Sequence, residues 1–148
     1  MEEVVFAKIP RGEIYARTGI QFMFFNTIFQ LAADARAGAF ERAETFLMMP
    51  DLIAFMLCGV KANERTNAST TQCYNPFKRD WDWGILEKIG APERLFKSGF
   101  AECGTCLGLL RPDLRAEFGD IKVACVATHD TASAVVATPS VERNPAYV

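Results

Sequence analysis

Apolar residues recur at helical spacing along most of the chain, and unbroken apolar runs are confined to a few short stretches. From Val4 to Arg17 the pattern predicts one or two short helices, with Pro10 at a start position and Thr18-Gly19 as the stop. From Thr27 to Ala37, the residues Ile28, Leu31, Ala32 and Ala35 share one helical face, and Gly38 ends that helix. A second short helix is expected over Phe40 to Ala43. Thr45-Phe46-Leu47-Met48-Met49 is a compact apolar run that predicts a buried strand feeding a helix from Asp51 to Leu57, with Pro50 tolerated at the helix start and Gly59 as its end. Asp82 predicts an N-cap ahead of Ile85, Leu86 and Ile89, closed by Gly90. Pro92 to Phe96 adds a helical turn, Gly99 to Leu110 reads as a glycine-broken strand near an edge, and Pro112 to Phe118 reads as a helix. Val123-Ala124-Cys125-Val126-Ala127 predicts a strand buried on both faces, as in a parallel sheet covered by helices. The sum is a mainly helical α/β chain with a small, incomplete sheet.

Two further stretches leave alternatives open. Gln21-Phe22-Met23-Phe24-Phe25-Asn26 is unusually aromatic, which reads first as core, although aromatics beside Gln and Asn also border sugar pockets. The run from Asn63 to Gln72 is dense in hydroxyl and amide side chains. It reads either as a turn that satisfies its own backbone or as the polar wall of a pocket.

With 148 residues, 50% of them hydrophobic, the chain can bury a core and forms one domain or a large part of one. The formal charge of −2 leaves Lys and Arg scattered among Asp and Glu with no basic stripe, so no nucleic-acid partner is expected. The acidic Met1-Glu2-Glu3 start, followed by Lys8 and Pro10, is unlike a secretory signal. Pro50-Asp51 interrupts the longest apolar candidate short of membrane-spanning length. The expectation is a cytoplasmic protein without a membrane partner. Of its 5 cysteines, Cys58, Cys73 and Cys125 lie in apolar surroundings and read as small hydrophobes. Cys103-Gly104-Thr105-Cys106 has the spacing of a zinc knuckle or a redox pair, but no second pair completes a structural zinc site, and no metal site is expected.

The candidate chemistry sits where the last apolar run turns polar. Thr128, His129, Asp130 and Thr131 follow the predicted strand, and the alanine-rich stretch behind them is helix-forming, with Asp130 or Thr128 available as N-cap. Ligands of open α/β folds bind beside strand carboxyl ends, where helix N–H groups favour negative charge. Asp130 therefore reads either as a plain cap or as a carboxylate that meets a ligand, and the chain's 1 histidine, His129, stands directly beside it.

Taken together, Tyr15-Ala16-Arg17-Thr18-Gly19-Ile20-Gln21-Phe22, Phe25-Asn26-Thr27, Met48-Met49-Pro50-Asp51, Thr66-Asn67-Ala68-Ser69-Thr70-Thr71-Gln72 and His129-Asp130-Thr131-Ala132-Ser133-Ala134-Val135 resemble the FGGY family of carbohydrate kinases. The blocks are collinear with the family over almost the whole chain, and the Phe-Asn-Thr and His-Asp-Thr-Ala-Ser-Ala blocks point to its rhamnulose branch. The resemblance implies a partial ribonuclease-H-like domain of the actin/hexokinase ATPase type. It implies transfer of the ATP γ-phosphoryl group to the 1-hydroxyl of L-rhamnulose in rhamnose catabolism, with ATP and Mg2+ as cofactors of the complete enzyme and a small-molecule sugar as substrate. In that reading Asp130 matches the catalytic aspartate, His129 and Thr131 match flanking residues that hold sugar hydroxyls, and Phe24 and Phe25 border the same pocket without an assigned role.

The chain also departs from the family pattern. Residues 1–148 correspond to the latter part of the family's N-terminal domain, without its glycine-rich phosphate-binding strands and without the second domain that carries adenosine sites. Cys103 and Cys106 stand where relatives have apolar residues or proline, which favours a packing role. The resemblance thus leaves the chain as an inactive piece of a kinase completed by missing parts of the same enzyme, as a piece that acts on another ketose, or as a non-catalytic remnant that binds sugar weakly.

Overall fold

The structure, a computed structural model, describes residues 1–141. Two short helices open the chain, α1 (Glu2–Phe6) and α2 (Arg11–Thr18), the second starting after Pro10 and ending at Gly19. Helix α3 (Thr27–Arg36) buries Ile28, Phe29, Leu31 and Ala32, the face its periodicity predicts. A single 3₁₀ turn (Ala39–Glu41) stands in place of the expected helix over Phe40 to Ala43. Helix α4 (Met49–Cys58) carries Pro50 in its first turn and ends at Gly59, whose φ of 77° is a left-handed conformation open to glycine at little steric cost.

The polar run from Asn63 to Gln72 is a short strand and helix that satisfy much of their own backbone. Asn63–Glu64 forms β1, Arg65–Ser69 forms α5, and the hydroxyls of Ser69, Thr70 and Thr71 donate to the carbonyls of Thr66, Asn67 and Ala68. Strands β2 (Tyr74–Asn75) and β3 (Asp80–Trp81) make a tight antiparallel pair, followed by α6 (Trp83–Ile89) with Asp82 as its N-cap. A 3₁₀ turn (Glu93–Phe96) leads to β4 (Phe100–Ala101), parallel to β1, and then to β5 (Cys106–Leu109), α7 (Pro112–Phe118), β6 (Lys122–Ala124) and α8 (Asp130–Ala137).

Strand expectations required the most correction. Thr45–Met49 is not a strand: it runs half-buried into α4, and Phe46 N–H donates to the Leu95 carbonyl at 2.8 Å without a neighbouring strand to build a ladder. The apolar run from Val123 is not a strand buried on both faces within a parallel sheet. It contributes to β6, which pairs antiparallel with β5 alone, and Val126 beyond it is 59% exposed. The aromatic cluster also divides. Phe22 packs against Phe6 in the core, whereas Phe24 and Phe25 stack edge to face on each other and are exposed.

Trp81 centres the core. Its ring, 1% exposed, meets Phe96 and Phe100 at centroid distances of 5.1 Å each and Phe46 at 5.8 Å. Next to it, Asp82 is a buried carboxylate that gathers three elements. It caps α6 at the Ile85 N–H, accepts from Asn75 Nδ2 at 3.1 Å, and accepts from Arg17 Nη1 of α2 at 3.0 Å. Burial raises its pKa, but the bonds from Asn75, Ile85 and Arg17 outweigh burial and hold the group below the usual carboxylate range. The ion pair therefore acts as a bolt between α2 and α6.

The outer face of α4 is apolar and open. Ile53 and Met56 are 55% and 60% exposed, with Leu52 and Leu57 beside them. No helix among the described residues is long and apolar enough to cross a membrane.

Two outcomes are expected. Trp81→Ala removes the ring on which four aromatic neighbours pack and lowers unfolding free energy by about 3–5 kcal/mol, measured by urea denaturation. The 148-residue chain self-associates in sedimentation velocity, and a variant carrying both Ile53→Lys and Met56→Lys associates less. A monodisperse wild-type monomer would contradict that second expectation.

Candidate active site

The site begins with a buried acid that the sequence does not single out. Glu64 ends β1, is 1% exposed, and serves as the N-cap of α5. Its Oε1 accepts the Thr66 N–H at 2.8 Å, and its Oε2 accepts the Asn67 N–H at 2.9 Å and the Thr66 hydroxyl at 2.5 Å. The same Oε2 reaches across the fold to accept the N–H and hydroxyl of Thr128 at 3.2 and 3.0 Å. Thr66 Oγ1 in turn accepts the His129 N–H at 3.3 Å. Burial raises the pKa of Glu64, but the donors on Thr66, Asn67 and Thr128 outweigh burial and hold it below the usual carboxylate value.

These bonds fix the junction that ends in α8. Ser133 adds a bond from its hydroxyl to the Ala127 carbonyl at 2.7 Å, and its N–H closes the first turn on the His129 carbonyl. The N-cap of α8 is His129, not Asp130 or Thr128, and its side chain makes no capping bond. Asp130 is instead the first residue of the helix. Its Oδ1 accepts the N–H of Thr131 at 2.6 Å, and the residue is exposed.

Asp130 borders an open cleft of about 560 Å³. Thr27 and Gln30 of α3 line one side, Phe46 to Pro50 at the entrance of α4 another, Asn67 of α5 a third, and Thr128 to Asp130 the last. Of the residues the sequence nominated, Asp130 and His129 line this cleft together. Thr131 lies outside its lining, tied to the Asp130 carboxylate. Phe24 and Phe25 do not line it either, although Gln30 Nε2 donates to the Phe25 carbonyl at 2.7 Å. Asn67 belongs to the polar run that had a pocket wall as one of its two readings, whereas sequence reasoning did not nominate Gln30. In the cleft a carboxylate, hydroxyls and amides face an apolar wall of Leu47, Met48 and Met49.

Beneath the cleft, Asp51 of α4 accepts the Glu64 N–H at 3.0 Å through Oδ1, while its buried Oδ2 has no hydrogen-bond partner. Burial pushes the Asp51 carboxyl up from 3.8 to about 6. Bonds from the Glu64 and Met48 N–H groups oppose that rise, and the negative charge of Glu64 adds to it. The two neighbouring acids are thus driven apart, Glu64 toward the ionised form and Asp51 toward the protonated one.

The cysteines do not line the Asp130 cleft, although Cys125 lies close enough to Glu64 and Asp51 for their charges to act on its thiol. Cys73 and Cys125 are buried and Cys58 half-buried. Burial pushes the thiol pKa of Cys125 up to about 11 and raises that of Cys73 as well. Cys103 and Cys106 are exposed free thiols at the β5 turn. Among the described residues no group of three or more His, Cys, Asp or Glu side chains is placed to hold a metal ion.

The fold defines the class. Gluconate kinase from Lactobacillus acidophilus superposes with a TM-score of 0.69 at 18% identity, over 85% of this chain and 27% of that one. Xylulose kinase from Rhodospirillum rubrum gives 0.69 at 18% over 85% and 28%. The architecture is therefore part of the actin/hexokinase-like fold that these two sugar kinases share. The profile of the N-terminal domain of the FGGY family of carbohydrate kinases matches residues 3–137, and the chain belongs to that family. Curated relatives include rhamnulokinase of Oceanobacillus iheyensis, 44% identical over all of this chain and 32% of its own length, and rhamnulokinase of Halalkalibacterium halodurans, 44% identical over 95% and 30%. The chain spans about a third of the length of these relatives.

The Asp51 carboxyl supplies a pH test. With its folded value near 6 and its unfolded value near 3.8, the folded state holds a proton that the unfolded state has released. Stability is therefore lost as pH rises from about 4 through 6, and the cost is complete above 6. Asp51→Asn keeps an oxygen for the Glu64 N–H and removes the ionisation. The stability of the variant relative to wild type is expected to rise by about 1–3 kcal/mol between pH 4 and pH 7.5 in chemical denaturation. A pH-independent difference would contradict this.

Proposed function

We propose that this chain is the sugar-facing part of a kinase that transfers the γ-phosphoryl group of ATP to the 1-hydroxyl of L-rhamnulose, with residues 1–148 forming the latter part of its N-terminal domain. The observation that carries the reading is the exposed Asp130 carboxylate at the first turn of α8, facing a cleft of polar and apolar walls. Relatives named rhamnulokinase at 44% identity support the choice of sugar. The use of ATP fits a cytoplasmic location.

In this reading the sugar lies in the cleft with its 1-hydroxyl against Asp130. As the hydroxyl oxygen bonds to phosphorus, the bond from phosphorus to the bridging oxygen of ADP breaks, and the hydroxyl proton passes to the Asp130 carboxylate. The protein's work is alignment and charge placement more than covalent chemistry. His129, on the cleft wall, is placed to hold a neighbouring sugar hydroxyl. Thr131 is bonded to the Asp130 carboxylate and acts on that group's orientation. Mg2+ bound with ATP would neutralise phosphate charge. A different ketose or polyol is the alternative substrate, favoured by the fold shared with xylulose and gluconate kinases.

The purified 148-residue chain, with ATP and L-rhamnulose, is expected to show no steady ADP release. In the kinase that carries this segment together with nucleotide-binding parts, Asp130→Asn lowers kcat by about 10²–10⁴-fold with a small change in KM. Steady turnover by the chain alone would overturn its reading as an incomplete piece of that kinase, and an Asp130→Asn kinase with unchanged kcat would overturn the role of Asp130.

A further inference from the structure

We propose that Glu64 is a positioning residue for Asp130, acting through Thr66 and Thr128 on the junction that starts α8. The inference rests on reading Asp130 as the proton acceptor and adds the device that holds it in place. Its basis is that Glu64 has more acceptor capacity than its own helix needs. Helix α5 has 5 residues, and a neutral Ser or Asn cap would satisfy its first N–H groups without burying a charge. What a buried carboxylate adds is the ability to accept several donors on one oxygen. Here Oε2 takes the Asn67 N–H, the Thr66 hydroxyl, and both the N–H and the hydroxyl of Thr128, which lies 64 positions away along the chain.

The arrangement is a relay as well as a cap. Because the Thr66 hydroxyl proton points at Glu64, the Thr66 oxygen is left to accept the His129 N–H. The N–H groups of the two residues before Asp130 are thereby fixed on Glu64 and Thr66, not on solvent. Thr128 and Asp130 border the same cleft, so a shift of this junction displaces the carboxylate relative to Asn67 and the walls opposite.

The test uses the unliganded chain, isotope-labelled for NMR. Thr128→Val removes one hydroxyl from the relay and is expected to speed amide exchange at residues 128 and 129 by about tenfold, with core amides at Ile85 and Ile89 unchanged. The Asp130 side-chain carboxyl resonance, single in wild type, shifts or broadens in the same variant. Thr128→Ser keeps the hydroxyl and restores both signals, which loss of general packing would not do. Glu64→Gln extends the faster exchange to Thr66 and Asn67; if it fails to fold, the Thr128 pair decides. Unchanged exchange at 129 in Thr128→Val, equal acceleration of the core amides, or failure of Thr128→Ser to restore the wild-type behaviour overturns the proposal. Neither sugar nor nucleotide is needed, so an Asp130→Asn kinase of full activity would sink the functional reading alone. An unperturbed junction would sink this one alone.

Discussion

A single ionised carboxylate, taken out of water at Glu64, holds together the parts of this chain that make its cleft. Removing a carboxylate from solvent costs several kcal/mol, and only charge-assisted hydrogen bonds at short distance offset that cost. Here the donors come from two places far apart in sequence, the start of α5 and the residues leading into α8. Their convergence makes the tie specific. A shift of either segment leaves the charge underbonded, so the junction has one favourable geometry.

The rest of the fold provides a rigid seat for that tie. Trp81 and the aromatic rings around it set the position of β3, and Asp82 locks α6 against α2 through Arg17. Strand β1 is held by its parallel pairing with β4, which anchors Glu64 from below, and Asp51 of α4 takes the Glu64 N–H. The cleft therefore lies where α3, the start of α4, α5 and α8 meet, with its carboxylate exposed and its supports buried. The cost of the arrangement falls on Asp51, whose buried second oxygen has no partner and whose proton is retained to higher pH.

Family membership places this architecture among FGGY carbohydrate kinases, and the chain spans about a third of the length of its curated relatives. In the proposed reading, Asp130 and the cleft walls serve the acceptor hydroxyl. On that proposal the described residues supply a proton acceptor and its orientation, which are local tasks that a small set of side chains can perform.

Helix ends were legible in the sequence because capping is local chemistry. Asp82 before α6, Pro112 at the start of α7, and the glycines after α2, α4 and α6 stand where their residue types predict. The helix that starts at Asp130 was legible as well, since a turn of hydroxyl residues and a run of alanines are read from neighbouring positions, although its cap is His129 and not Asp130 or Thr128. Strands were not. Asn63-Glu64 is too polar and too short to announce itself, and the run from Val123 looked buried because apolarity does not say which neighbour covers it. Glu64 passed as one acid in a polar stretch. Its role depends on Thr128 arriving from the far end of the chain, and a contact across that separation is fixed by packing, which no local pattern encodes.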